Sequence, residues 1–222
     1  IALAATDTQS DRPAGDGERR VLVGKELRRV KDLLVASGGA RVRFSRRHGL
    51  LFVDRDEAVH SANCLRFEAR ADHGSLDAFA GDENARARLY SAQFLQPWRH
   101  ETAPDRSELV LRGRIGRGPV GWDTELRISG RASESRIRLE LTVRNRISDW
   151  RLRARLLGVP PTHIEHECDD VREVVTNDGG GFVAFTLVRA CGSLLVDGEP
   201  IAVPAAQCHG EIRHVFHLGV AD

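Results

Sequence analysis

From Arg136 to Arg144 the chain alternates without a break. Ile137, Leu139, Leu141 and Val143 stand between Arg138, Glu140, Thr142 and Arg144. A period of two sends the two sets to opposite faces of a strand, so one face is predicted to lie on a core and the other in water. Glu125 to Ser129 repeats the pattern, and Glu211 to Leu218 sets Ile212, Val215 and Phe216 among polar residues. Arg41 to Phe44 alternates and Leu50 to Val53 is a short apolar run; Gly49 closes the stretch between them, which predicts a hairpin. Leu109 to Leu111, Trp150 to Leu157 and Phe182 to Val188 are further candidate strands. Turn signals separate them: Gly116, Gly118, Pro119 and Gly121; Pro160-Pro161; Gly179 to Gly181; and Val196 to Pro200. One stretch reads two ways. Val21-Leu22-Val23 has strand composition, while Leu27, Val30, Leu33 and Leu34 have helical spacing. A strand followed by a short helix or irregular turn is expected there, closed at Ser37-Gly38-Gly39. Many strands with little helical pattern predict an all-β sandwich of mainly antiparallel strands.

Thr6 to Arg19 is polar and carries Pro13, Gly15 and Gly17, so residues 1–20 are expected to form a linker or entry segment and 21–222 the folded domain. The chain has 222 residues, 41% hydrophobic and 29% charged, enough to bury a core without disulfides or a metal. The net charge of +1 argues against nucleic acid, which calls for clustered positive excess. Lys25 and Lys31 are the sole lysines; the arginines recur singly, as in Arg151, Arg153 and Arg155, as expected of a solvated sheet face. Cys64, Cys168, Cys191 and Cys208 are few and far apart, which points to reduced thiols and a cytoplasmic protein. No apolar run nears the roughly 20 residues of a membrane helix, so no membrane partner is expected. The absence of methionine, even at position 1, suggests a fragment or processed chain.

Candidate chemistry is sparse. Asp54 and Asp56 could share a strand face, and Asp169-Asp170 is a second carboxyl pair, but surface turns explain both. His163-x-x-His166-x-Cys168 has the most metal-like spacing; a solvated loop with one packed cysteine is the plainer reading, and no metal is expected in this chain. Gly113, Gly116 and Gly118, like Gly179 to Gly181, precede strand-like sequence and so read as turns, not phosphate cradles. No G-x-S-x-G elbow occurs. Trp98, Trp122, Trp150 and Tyr90 are the rings that could stack on a sugar. Trp122, between Gly121 and Asp123, is expected to be the most exposed, with core or interface packing as the alternative for each.

Three stretches resemble the C-terminal β region of family 38 glycoside hydrolases, the α-mannosidase-like enzymes. Arg136 to Leu156, through Asn145 and Asp149-Trp150-Arg151-Leu152-Arg153, is similar to that family's long strand, asparagine turn and "HRLR" strand, with Trp150 in place of the histidine. Thr186 to Ala190 resembles its "LTLLRS" strand, and Pro204 to Gly210 its "P-x-A-Q-C-x-G" element. A fourth, shorter likeness is Asp72 to Phe79: Asp72, Gly74 and Phe79 fit the family's loop, while Ser75 and Asp77 replace an aspartate and a tyrosine. The resemblance spans about residues 21–218. It implies a galactose-mutarotase-like super-sandwich packed against an N-terminal catalytic domain of the same parent chain, and that domain would carry zinc and the carboxylate nucleophile. It also implies a sugar-approaching loop, so Asp72, Gly74, Asp77 and Phe79, with Trp122, form the expected carbohydrate-proximal set and no catalytic residue is expected here. The function implied is a non-catalytic part of an α-mannosidase-type glycosidase that scaffolds the catalytic domain and flanks its sugar cleft, with self-association through the surface left uncovered. The alternatives are an independent carbohydrate-binding module, a mutarotase-like enzyme using His100 or His166 with Glu165 or Asp77, and a zinc-binding regulatory domain.

Overall fold

A computed structural model describes residues 19–53, 59–72, 87–92, 95–167, 172–175, 182–196 and 199–219. In chain order the first elements are strand β1 (Arg20–Val23), the six-residue helix α1 (Gly24–Arg29), β2 (Asp32–Ala36), β3 (Arg41–Ser45), β4 (Gly49–Val53), β5 (Val59–Ala62) and β6 (Leu65–Ala71). Then come β7 (Arg88–Ser91), β8 (Gln96–Thr102), β9 (Arg106–Arg117), β10 (Val120–Arg131), β11 (Ile137–Asn145) and β12 (Trp150–Leu157). The last are β13 (Ile164–His166), β14 (Arg172–Val175), β15 (Phe182–Ala190), β16 (Ser193–Val196), β17 (Glu199–Ala202) and β18 (Gly210–Leu218). Short 3-10 turns occupy Pro161–His163 and Pro204–Gln207.

The pairings among described residues are antiparallel. Seven strands form one sheet in the order β1-β8-β9-β10-β11-β18-β13, and five form a second in the order β14-β15-β12-β6-β7. The alternation read from the sequence sets the faces. Ile137, Leu139, Leu141 and Val143 of β11 are buried, as are Leu126 and Ile128 of β10. They share a core with Phe67 of β6, Leu152, Ala154 and Leu156 of β12, and Phe185 of β15. Rings bridge the layers: Phe185 meets Phe216 of β18 edge-on, with centroids 4.9 Å apart. This is a sandwich with interdigitating inner faces.

A four-stranded sheet, β2-β3-β4-β5, docks on the first through β2. The Ser107 hydroxyl accepts from Ala36 N–H at 2.9 Å and donates to the Ala36 carbonyl at 3.1 Å. His100 donates to the Leu34 carbonyl at 2.9 Å. The two sheets come so close at Gly130 of β10 that a Cβ there would lie 2.2 Å from the Ala36 oxygen. Only glycine fits at such an approach.

Two expectations need correction. The helical spacing ends at α1: Leu33 and Leu34 lie in β2, with Leu33 buried and Leu34 largely open. The turn cluster shrinks to Gly118-Pro119, since Gly116 belongs to β9 and Gly121 to β10. Arg117 pairs with Val120, so two residues make the hairpin. Gly118 takes φ +61° at its first central position, where a type II′ turn requires glycine.

Candidate functional site

The stretches that carry the family resemblance are far apart in sequence and meet at one corner of the sandwich. Asn145 ends β11 and is buried among apolar neighbours. Its carboxamide oxygen accepts from the Trp122 indole N–H at 3.0 Å and from the Ile147 backbone N–H at 3.1 Å. Its amide nitrogen donates to the carbonyls of Gln207 and Cys208, at 2.9 and 3.1 Å. Each hydrogen-bonding atom of the side chain is thereby satisfied, as burial demands. Gln207 continues the network. Its side chain accepts from Asp149 N–H and donates to the Asp149 carboxylate, both at 2.9 Å, and that carboxylate also accepts from Gly192 N–H at 3.0 Å. Asp149 holds a left-handed φ of +57°, which Asp tolerates better than most residues.

Asp72 joins the same corner. It is fully buried; its N–H donates to the Asp149 carbonyl at 2.8 Å, and its carboxylate accepts from Arg189 Nε at 2.9 Å. Asp72 thus anchors the point where β6 leaves the sheet. Gly74, Asp77 and Phe79 lie outside the described residues. Trp122 is a correction. Its ring is 0% exposed and packs edge-on against Trp150, 6.4 Å between centroids. It lies next to Gly121 but inside β10, on the core face, and offers no surface to a sugar.

Among the described residues the remaining sequence candidates do not converge. His166 turns inward, stacks on Phe216 and lies 3.3 Å from Nδ1 of His214, which in turn donates from Nε2 to the Leu187 carbonyl at 2.9 Å. With His214 neutral, its Nδ1 is the acceptor and His166 Nε2 the donor. His163 sits in a 3-10 turn, and Cys168 is outside the described residues. Among the described residues no three His, Cys, Asp or Glu side chains gather as a metal site. His100 of β8 and Glu165 of β13 are five strand positions apart in one sheet, about 24 Å at the usual strand spacing. Glu165 pairs with Arg136, so neither histidine is brought to a catalytic carboxylate by it. Asp54, Asp56, Asp169 and Asp170 fall outside the described residues.

Three thiols, Cys64, Cys191 and Cys208, are free. Burial pushes Cys64 up to about 12 and raises Cys191, so both are poor nucleophiles near neutrality. Among the described residues no helix is long and apolar enough to cross a membrane.

Sequence reasoning missed two features. Glu68 of β6 is buried on the far face of the five-stranded sheet, with Arg153 at 2.5 Å, Arg155 at 3.3 Å and Arg70 at 3.4 Å. The alternation Leu65-Arg66-Phe67-Glu68-Ala69-Arg70 carries the signal for that strand. The second is the outer face of the seven-stranded sheet, where a groove of about 670 Å³ crosses β9, β10, β11 and β18. Trp98, at its border, is 59% exposed. Among the described residues the other well-exposed large apolar side chains are Val21 and Val23 on β1, Leu34 on β2, Leu89 on β7 and Ile201 on β17.

No family model matches the chain, and no curated protein matches it. Solved structures do. An α-mannosidase from Enterococcus faecalis V583 superposes with a TM-score of 0.65 at 14% identity, over 90% of this chain and 30% of that one. A glycosyl hydrolase family 38 protein from Enterococcus faecalis gives 0.64 at 15% identity, over 84% of this chain and 30% of that one. The chain has the fold of part of a family 38 glycosidase. It spans about a third of the length of those family 38 structures, and at this identity the likeness establishes the family 38 fold alone.

Proposed function

We propose that this chain is the non-catalytic β-sandwich portion of an α-mannosidase-type glycosidase, scaffolding a catalytic domain and flanking its sugar cleft. The observation that carries the reading is the asymmetry of coverage: 84–90% of this chain matches 30% of each mannosidase-type structure. Most of such an enzyme would therefore lie in a companion domain, and the zinc and nucleophile would belong there. The corner network supports the same reading. Asn145, Asp149 and Gln207 bond one another and the backbone, and Asp72 bonds the backbone and Arg189, which supports a role in holding shape. Asp72 would set the direction in which the following segment leaves toward a cleft. A cytoplasmic location belongs to the same proposal, supported by the free thiols.

Interdomain contacts within one chain are typically moderate in area and polar. The scattered exposed apolar side chains suit such a contact better than one broad greasy face. Co-expression with the catalytic half of the longer protein tests the proposal. The two should co-purify as a one-to-one complex, and the chain alone should self-associate weakly in sedimentation velocity. A chain that neither binds the catalytic half nor changes its stability would refute the scaffold role.

A further inference from the structure

The scaffold reading makes no use of the groove on the outer face of the seven-stranded sheet. Its charges cancel locally. Arg112 lies 2.7 Å from Glu125, Arg114 3.7 Å from Asp123, Arg213 2.8 Å from Glu140, and Arg144 3.2 Å from Glu211. Three arginines and four carboxylates line the groove, and Arg114, Arg127 and Arg138 at its edges pair with those same carboxylates, so neither sign builds up a large surplus. Nucleic acid and other polyanions need a surplus of positive charge that is missing here. Charged side chains dominate the groove lining, whereas the buried centre of a protein interface is depleted in them.

The ion pairs do provide a fixed array of hydrogen-bonding groups. Carboxylate oxygens accept, guanidinium N–H groups donate, and the Thr142 hydroxyl on the groove wall does both. Burial pulls the Glu140 carboxyl up, but hydrogen bonds from Arg213 and Arg138 outweigh it and hold the group below its usual range, so it stays an acceptor at neutral pH. Trp98 stands at the border of this array. The Arg112 guanidinium lies 4.7 Å from the indole centroid while its Nε bonds Glu125 at 2.7 Å. One side chain thus ties the ring to the groove and fixes its orientation. With Arg112 on one side, more than half of the Trp98 surface is left to solvent.

An exposed aromatic face beside a neutral array of paired donors and acceptors matches one ligand chemistry well. A pyranose has an apolar C–H face that stacks on an indole, and vicinal hydroxyls that each give and take a hydrogen bond. We propose that Trp98 and the groove beside Arg112 form a binding surface for a neutral oligosaccharide. The proposal stands on the outer sheet face alone and is independent of the α-mannosidase reading, so either can fail without the other.

The test is calorimetric titration of this chain with two neutral trisaccharides, an α-linked mannotriose and a β-linked cellotriose, with heparin as a charged probe. Saturable binding of at least one neutral sugar is expected, and Trp98→Ala should weaken it about tenfold or more. Ile201→Ala, on the distant strand β17, should leave it unchanged. Trp98 is largely exposed, so its variant should fold, and circular dichroism checks this. Glu125→Gln gives a second reading: it keeps the shape, frees Arg112 from its ion pair and should also weaken binding. No saturable binding of either trisaccharide, equal affinity in Trp98→Ala, or binding of heparin alone would each overturn the proposal.

Discussion

Asn145 is the residue on which the corner depends most. Two N–H groups and two carbonyls use its side chain, all at a buried site. Asn145→Ala would strand them, and the expected loss is about 2–3 kcal/mol in urea unfolding. Trp122→Phe removes one of those bonds and keeps most of the ring, so about 1 kcal/mol is expected. At this scale Asn145 was legible as part of a motif, but its role was not, because its partners come from residues 122, 147, 207 and 208. Trp122 was misread for a related reason: flanking turn glycines suggest exposure, whereas the register of β10 against β9 and β11 turns the ring inward. Titration is also argued residue by residue. Burial lowers His100, against the pull of the Leu34 hydrogen bond, so the folded state favours the neutral ring. The unfolded chain takes up that proton near the ordinary value of about 6.5, so stability is full above that pH and falls below it. Glu101 behaves separately. The hydrogen bond from Arg19 lowers it despite opposing burial, with Arg99 and Arg106 adding to the effect. Its contribution is present above the ordinary carboxylate value and is lost as pH falls through the depressed one. Denaturant midpoints measured across pH should therefore drop in two stages, and His100→Gln should remove the upper stage only.

Strands with one wet face were read well from period two. The structure places β11, β12 and β18 within about a residue or two of the sequence expectation. Two apolar runs without alternation, β4 and β15, were also read close to their bounds, whereas β9 was cut short. In β9, Leu109, Val110 and Leu111 are all buried, and the strand runs on through Gly113 and Gly116, which look like breakers. Its partner β10 satisfies those backbones along twelve paired positions, and this outweighs the weak propensity of glycine. Leu33 and Leu34 were ambiguous because a short apolar run fits either period. Pairing with β3 decides it, setting Leu33 opposite Phe44. The docking of β2 on the main sheet could not be read at all, since it rests on contacts more than 60 residues apart in sequence, such as Ser107 with Ala36. Gly130→Ala tests that docking. Its added methyl must displace the Ala36 carbonyl, so a loss of about 1–3 kcal/mol is expected in thermal or chemical unfolding. A neutral outcome would mean that the four-stranded sheet sits more loosely than its hydrogen bonds imply.

At the scale of the whole molecule, the family resemblance could be seen in short motifs because those motifs build one buried corner, where few alternatives satisfy every polar atom. Exposed strands carry no such constraint, and identity to the superposing structures is 14–15% over the matched 84–90% of this chain. The outer groove was illegible for a different reason: its polar positions on β9, β10, β11 and β18 show in the alternation, but strand pairing decides which of them lie side by side. The account makes this chain a shape-giving part whose chemistry resides elsewhere. Aryl α-mannoside hydrolysis, assayed for the purified chain with and without zinc and beside a longer protein that includes the proposed catalytic domain, tests it most directly. The account predicts no turnover by the chain alone under either condition and turnover by the longer protein. Hydrolysis by the chain alone that co-elutes with it through successive purification steps would contradict the account and place a catalytic centre within the sandwich itself.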